Sequence, residues 1–149
     1  MSIEPKGDGF DIKWVVCDEE IVKVLNDEIL SDWLENPVAY GAYEDNILIG
    51  YVEGFLEEWN NRFRITNICV FNGTKRNHGI GQSLIETISK DAIESGARMI
   101  VLETQSYNSK AISFYKKNGF EIIGFDRFAY SNEGPAEKNI RIEMGKKLK

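Results

Sequence analysis

The sequence predicts an α/β chain built on a mixed sheet in which one pair of strands runs parallel. Three observations predict it. Short alternating or apolar runs recur along most of the 149 residues. Two amphipathic helical stretches are set between such runs in the second half. An apolar strand, Ile65 to Phe71, passes through a glycine-containing loop into the first of those helices, and strand, helix and further strand in that order form a crossover.

Taken in order, Ile12, Trp14 and Val16 alternate with more polar positions and predict a first strand. Asp18 can cap a helix carrying Ile21, Val22 and Leu25, and Glu28 to Leu34 reads as a second helical stretch ending near Asn36-Pro37. Val38 to Tyr43 is a strand, Glu44-Asp45-Asn46 a turn, and Ile47 to Leu56 its antiparallel partner. Trp59-Asn60-Asn61-Arg62 turns the chain into the strand Phe63 to Phe71. Beyond the glycine loop, Leu84, Ile85, Ile88, Ala92 and Ile93 share one helical face, and Gly96 ends that helix. Met99 to Glu103 is nearly continuous in apolar residues, as a strand buried on both faces requires. Asn108 can cap a helix bearing Ala111, Ile112, Phe114 and Tyr115, with Asn118-Gly119 as its stop. Phe120 to Tyr130 and Asn139 to Lys147 are the closing strands, joined by a polar loop containing Gly134-Pro135. No repeat or linker divides the chain, so 1–149 is expected to be a single domain.

Composition narrows the function. A hydrophobic share of 42% with 28% charged residues is ordinary for a globular protein. No apolar run reaches the length of a membrane span, and Met1 to Asp11 lacks the basic and apolar regions of a signal peptide, so the expected compartment is the cytoplasm, with no membrane partner. Cys17 and Cys69 are far apart and belong to no C-x-x-C pair; reduced thiols fit better than a disulfide, and no metal site is expected. A net charge of −6 argues against a nucleic-acid partner and is compatible with a cationic one.

The segment from Arg76 through Asn77, His78, Gly79, Ile80 and Gly81 is the most informative in the chain. Small residues at a helix N-terminus direct unpaired backbone N–H groups at one point, where the helix dipole favours an anion such as a phosphate. Arg76 adds a fixed positive charge. The plain alternative is a glycine-rich turn into an ordinary helix.

This strand, its R-x-x-G-x-G loop and helix, the buried strand that follows, and N-x-x-A-x-x-F-Y-x-x-x-G-F from Asn108 to Phe120 together resemble the GCN5-related N-acetyltransferase (GNAT) superfamily. Within it the chain is similar to the streptothricin acetyltransferases. The segments that carry this are Ala39 to Tyr43, Trp59 to Arg62 with Ile65 to Ile68, Leu102 to Ser106, and Arg141 to Gly145. The resemblance implies a mixed, mostly antiparallel twisted sheet of about seven strands, with a central splayed parallel pair and about four helices.

It also implies acetyl-CoA as co-substrate, held at the diphosphate by the backbone from Arg76 through Asn77, His78, Gly79, Ile80 and Gly81 to Gln82. Its pantetheine arm would lie along Ile68, Cys69 and Val70. Asn108 would help hold the coenzyme, and Tyr115 would sit near the thioester sulfur. Acetyl transfer needs a neutral amine, and a lysine-like amine with pKa near 10.4 needs a base. Glu103 is the first candidate, Glu53 the second and Glu143 a distant third. The N–H of Val70 could stabilise the oxyanion and Tyr115 could protonate the departing thiolate, with no covalent enzyme intermediate. Glu53, Glu57, Glu58, Glu103 and Asp126, with Trp33, Tyr40, Trp59 and Tyr130, gather where a cationic acceptor would bind. The β-lysine moiety of streptothricin would suit such a pocket, which makes antibiotic resistance the leading expectation.

Each residue has a plainer reading. Tyr115 could be a core aromatic and Asn108 only a cap; Glu103 could pair with Arg98 or Arg141. An acetyltransferase of protein N-termini or lysines, or a non-catalytic acetyl-CoA-binding module, would share the same fold. A dinucleotide-binding domain is disfavoured because Leu84 stands at the third glycine position and the loop from Phe71 to Gly79 is too long. The sequence leaves the oligomeric state open, a homodimer included.

Overall fold

The computed structural model describes residues 1–16, 28–71 and 79–149. Along them run β1 (Ser2–Lys6), β2 (Gly9–Lys13), β3 (Val38–Glu44), β4 (Ile47–Glu57), β5 (Arg62–Val70), α1 (Ile80–Glu94), β6 (Met99–Gln105), α2 (Ser109–Lys117), β7 (Glu121–Asp126) and β8 (Arg141–Lys147). The chain falls into two compact units, Met1–Asn26 with Glu103–Met144 and Asp27–Leu102 with Gly145–Lys149.

In the Asp27–Leu102 unit, β3, β4 and β5 form an antiparallel meander. Asp45 and Asn46 both adopt positive φ, 50° and 63°, the backbone that a two-residue hairpin turn needs to match strand twist. The crossover through α1 makes β5 and β6 parallel, paired from Arg62↔Met99 to Ile65↔Leu102. Leu84, Ile85, Ile88 and Ala92 are buried on α1, as the periodicity requires, with Val52, Phe63, Ile65, Ile100 and Val101 of the strands. Ile93 departs from the expected face and is exposed.

In the other unit, β1 and β2 form a two-stranded hairpin turning at Gly7, while the sheet order around the end of β6 is β6-β8-β7. Asn108 caps α2 by accepting the Ala111 N–H at 3.1 Å, and Gly119, at φ 86°, follows the helix end. The buried Ser106 stitches strand ends together. Its Oγ donates to the Lys138 carbonyl at 2.8 Å and accepts the Ile140 N–H at 3.1 Å.

The mixed, mostly antiparallel α/β architecture with one parallel pair is as expected. Its details differ. The strands number eight, six in one sheet and two in the other, and two helices are present among the described residues. The strand expected over Ile12 to Val16 ends at Lys13, and it pairs with β1, in which only Ile3 is buried. Glu28 to Leu34 is a pair of turns and not a helix, because Leu30 takes a positive φ of 57° and donates its N–H to the Glu53 carboxylate. The strand expected to reach Tyr130 stops at Asp126, whose carboxylate accepts the Phe128 N–H at 2.9 Å and turns the chain. The helix expected from Asp18 lies outside the described residues.

Candidate active site

The geometry begins with which backbone groups β5 leaves facing away from β4. Phe71 donates its N–H to the Ile49 carbonyl at 3.0 Å, and the ladder continues Gly50↔Val70, Tyr51↔Cys69, Val52↔Ile68. Since hydrogen-bonded and non-hydrogen-bonded pairs alternate in an antiparallel ladder, Cys69 turns its N–H and C=O toward β4. Val70 and Ile68 turn theirs to the opposite side, where the parallel ladder of β5 ends at Ile65. Of the three residues singled out in sequence, two therefore offer backbone and the third does not. Burial pushes the Cys69 thiol above its usual range, as for a core thiol.

Beyond β5 the same crossover enters α1. Gly79 is its N-cap in the left-handed region at φ 78°, and the first helical bond runs from Ser83 N–H to the Gly79 carbonyl at 2.8 Å. The N–H groups of Ile80, Gly81 and Gln82 precede that bond, and no acidic residue stands in the first turn. The Gln82 side chain is turned along the helix to Glu86 at 2.8 Å. Arg76, Asn77 and His78 lie outside the described residues.

On β4, Glu53 is fully buried, at 0% exposure. Its Oε1 accepts from Thr66 Oγ1 at 2.5 Å and Asn67 Nδ2 at 3.2 Å, and its Oε2 from the Leu30 N–H. This arrangement depends on a bulge. Glu53 pairs with Asn67 and Gly54 with Ile65, so Thr66 is the extra residue. Sequence reasoning missed Thr66 and Asn67 as partners. Two adjacent polar residues in an otherwise apolar strand are the signal that could have found them.

The other acidic residues divide by partner. Glu57 binds Arg64 Nε at 2.5 Å, Arg62 Nη2 at 3.2 Å and Asn60 Nδ2 at 3.0 Å. Burial pushes its carboxyl up, yet hydrogen bonds from Arg64 and Asn60 and the charges of Arg64 and Arg62 outweigh this and hold it below the ordinary range. Asp126 pairs with Arg141 at 3.6 Å. Glu103 accepts from the Tyr130 hydroxyl at 3.2 Å, and Gln105 Nε2 lies 3.4 Å from the same hydroxyl. Desolvation of the hydroxyl end, then the charge of Glu103, push the Tyr130 phenol up to about 12.

The aromatic candidates divide likewise. Trp59 is 84% exposed with the Arg62 guanidinium 6.0 Å from its ring, and Trp33 meets Phe55 edge-on at 6.2 Å. Tyr40 donates to Asp91 Oδ1 at 3.0 Å, a hydrogen bond that raises its phenol. Tyr115 is buried on α2, with its ring 6.0 Å from Phe120. Among the described residues no group of three or more His, Cys, Asp or Glu is placed to hold a metal ion.

β5 thus presents alternate backbone groups and leads toward a glycine-capped helix with no acidic residue in its first turn. The model of the acetyltransferase (GNAT) family matches residues 11–120. The chain belongs to the GNAT acetyltransferase family. This GNAT chain is 33% identical over 140 residues to a streptothricin acetyltransferase of Streptomyces lavendulae, covering 87% of this chain and 72% of that protein. It is 38% identical over 96 residues to a streptothricin acetyltransferase of Escherichia coli, covering 64% of this chain and 54% of that one. Among solved structures, nourseothricin acetyltransferase superposes with a TM-score of 0.81 at 27% identity, covering 99% of this chain and 82% of that one. A Bacillus anthracis protein in complex with acetyl coenzyme A superposes at 0.69 and 32% identity, over 78% of this chain and 65% of its own. This GNAT chain is thus an acetyltransferase by family.

Proposed function

We propose that this GNAT acetyltransferase transfers acetyl from acetyl-CoA to an amine of a small cationic antibiotic, the β-lysine amine of streptothricin first among them. The observation that carries the choice of acceptor is the state of Glu103. Glu57 and Asp126 are met by arginines, whereas Glu103 is exposed and partnered only by a phenol among the described residues. An exposed carboxylate beside an aromatic ring suits an ammonium group. The relatives named for streptothricin point to the same acceptor.

The coenzyme's diphosphate fits the residues at the start of α1. A Cβ added at Gly79 would meet none of the described residues within 4 Å, and three consecutive N–H groups follow it without helical acceptors. Ile68 and Val70 would hold the pantetheine arm by backbone hydrogen bonds, and Asn108 would join its cap to coenzyme contact. Acetyl-CoA supplies the activated acetyl thioester.

The rest falls to this chain's own residues. Glu103 takes the ammonium proton, directly or through one water, so that the amine nitrogen can form the new C–N bond. The Val70 N–H donates to the carbonyl oxygen as negative charge develops there. Tyr115 gives its proton to the sulfur as the C–S bond breaks.

The test is thiol release from acetyl-CoA against streptothricin, aminoglycosides, polyamines and N-terminal peptides, with mass mapping of the product. Turnover confined to streptothricin supports the reading, and turnover confined to peptides overturns it. Tyr115→Phe should lower kcat more than coenzyme affinity. Glu103→Gln should shift the pH dependence of kcat/KM.

A further inference from the structure

We propose that Glu53 is a positioning residue for the acceptor, and that it acts by clamping the paired turns over 29–34 so that Trp33 forms part of the acceptor surface. The proposal rests on the acetyl-transfer reading above and takes Glu53 out of the proton-transfer role that its sequence position suggests.

Three observations carry it. First, both oxygens of a carboxylate at 0% exposure are occupied by donors from Thr66, Asn67 and Leu30, so no acceptor amine can reach it without breaking that set. Second, one donor is the backbone of a residue held at a positive φ of 57°, a conformation that costs a leucine free energy and persists only where the surroundings impose it. Among the described residues the contact that imposes it is the Leu30 N–H to Glu53 bond, Leu30 itself being 54% exposed. Third, the turn so held leads directly into a second one, closed by the Leu34 N–H to the Ser31 carbonyl at 3.0 Å, which carries Trp33, 67% exposed and braced edge-on against Phe55 two residues beyond Glu53 on β4, while Leu34 is buried. An exposed indole on a fixed turn offers an organic ammonium a flat π-face.

The experiment compares wild type, Glu53→Gln and Trp33→Ala by steady-state kinetics with acetyl-CoA and streptothricin across neutral and alkaline pH, and by amide hydrogen exchange over 29–34. Glu53→Gln replaces the acceptor oxygen facing Leu30 with an amide or leaves the Thr66 side mismatched. The expected result is faster exchange in the turn and an acceptor KM raised about tenfold, the equivalent of one hydrogen bond to a charged group. The kcat and the acetyl-CoA KM stay within about twofold, and the pH profile keeps its shape. A fall in kcat with a shifted profile would make Glu53 the base and overturn the proposal, as would unchanged exchange. Should Glu53→Gln not fold, Trp33→Ala decides, since its side chain is exposed. It must raise the acceptor KM alone, and an unchanged acceptor KM overturns the proposal. If wild type releases no thiol with any amine, the acetyl-transfer reading has failed on its own, and exchange over 29–34 in the variants still decides the clamp.

Discussion

Tyr130 donates its hydroxyl to Glu103 at 3.2 Å, and that carboxylate in turn helps hold the phenol neutral up to about 12. The two residues are far apart in sequence and belong to β6 and to the turn beyond β7. The pair gives Glu103 a fixed orientation without neutralising its charge, because the donor stays uncharged at any pH where an acetyltransferase works.

This pair sets an alkaline limit. A phenol that ionises near 10 in the unfolded chain and near 12 in the folded one binds its proton more tightly when folded. Its contribution to stability is complete below about 10 and is lost as pH rises toward about 12. Tyr130→Phe should flatten the alkaline limb of a plot of denaturation midpoint against pH. A limb as steep as that of wild type would assign the loss to other tyrosines.

The acid limit has the opposite sign. Arg64, Asn60 and Arg62 together hold the Glu57 carboxyl below the ordinary range despite the burial that opposes them. A depressed carboxyl contributes stability that is present above its unfolded pKa and is lost as pH falls through the folded one. Glu57→Gln should therefore lower stability at neutral pH and make the acid limb shallower. It also leaves Arg62 and Arg64 without their shared carboxylate, so the neutral-pH loss should exceed that of an exposed surface pair. Urea midpoints measured from neutral pH down into the carboxylate range check both parts.

What the sequence made legible follows from which signals are local. The faces of α1 and α2, the Asn108 cap and the Asp45-Asn46 turn depend on residues within a few positions of one another, and they are as expected save for Ile93, which is exposed. The Leu30 turn reads as helix in the sequence because what bends it is a carboxylate 23 residues away. The partners of Glu53 depend on a bulge that skips Thr66, a property of the pairing of two strands and not of either strand alone. The β1 strand is silent in the sequence for a related reason. Ser2–Lys6 has one buried residue, Ile3, and so carries no periodic signal.

The anion site at α1 makes a prediction that separates charge from fold. Gly81→Asp places a carboxylate in the first helical turn, where the dipole favours it and the helix should persist. The same carboxylate would oppose a diphosphate at the Ile80 to Gln82 amides. Acetyl-CoA affinity should fall at least about tenfold by calorimetry while the thermal midpoint of the free protein stays level or rises. Equal affinity would move the coenzyme away from this helix.

Two glycines are required for different reasons, and the difference can be measured. A Cβ at Gly54 would lie 2.6 Å from the Arg64 carbonyl oxygen and 2.7 Å from Phe63 Cε1, so one of the obstructing atoms belongs to the backbone and cannot rotate aside. At Gly79 a Cβ would meet none of the described residues within 4 Å, but φ is 78°. Gly54→Ala should therefore act through packing, costing about 1–3 kcal/mol by pushing β4 from β5 beside the bulge that holds Glu53. Gly79→Ala should cost roughly 1 kcal/mol through backbone strain alone, the ordinary penalty for a left-handed non-glycine residue. If the Gly54 effect arises at the bulge, Gly54→Ala should also speed exchange of the Leu30 amide, which Gly79→Ala should leave unchanged. A Gly54→Ala protein with wild-type stability and exchange would mean that β4 and β5 have room to separate, and that the bulge does not fix the Glu53 carboxylate.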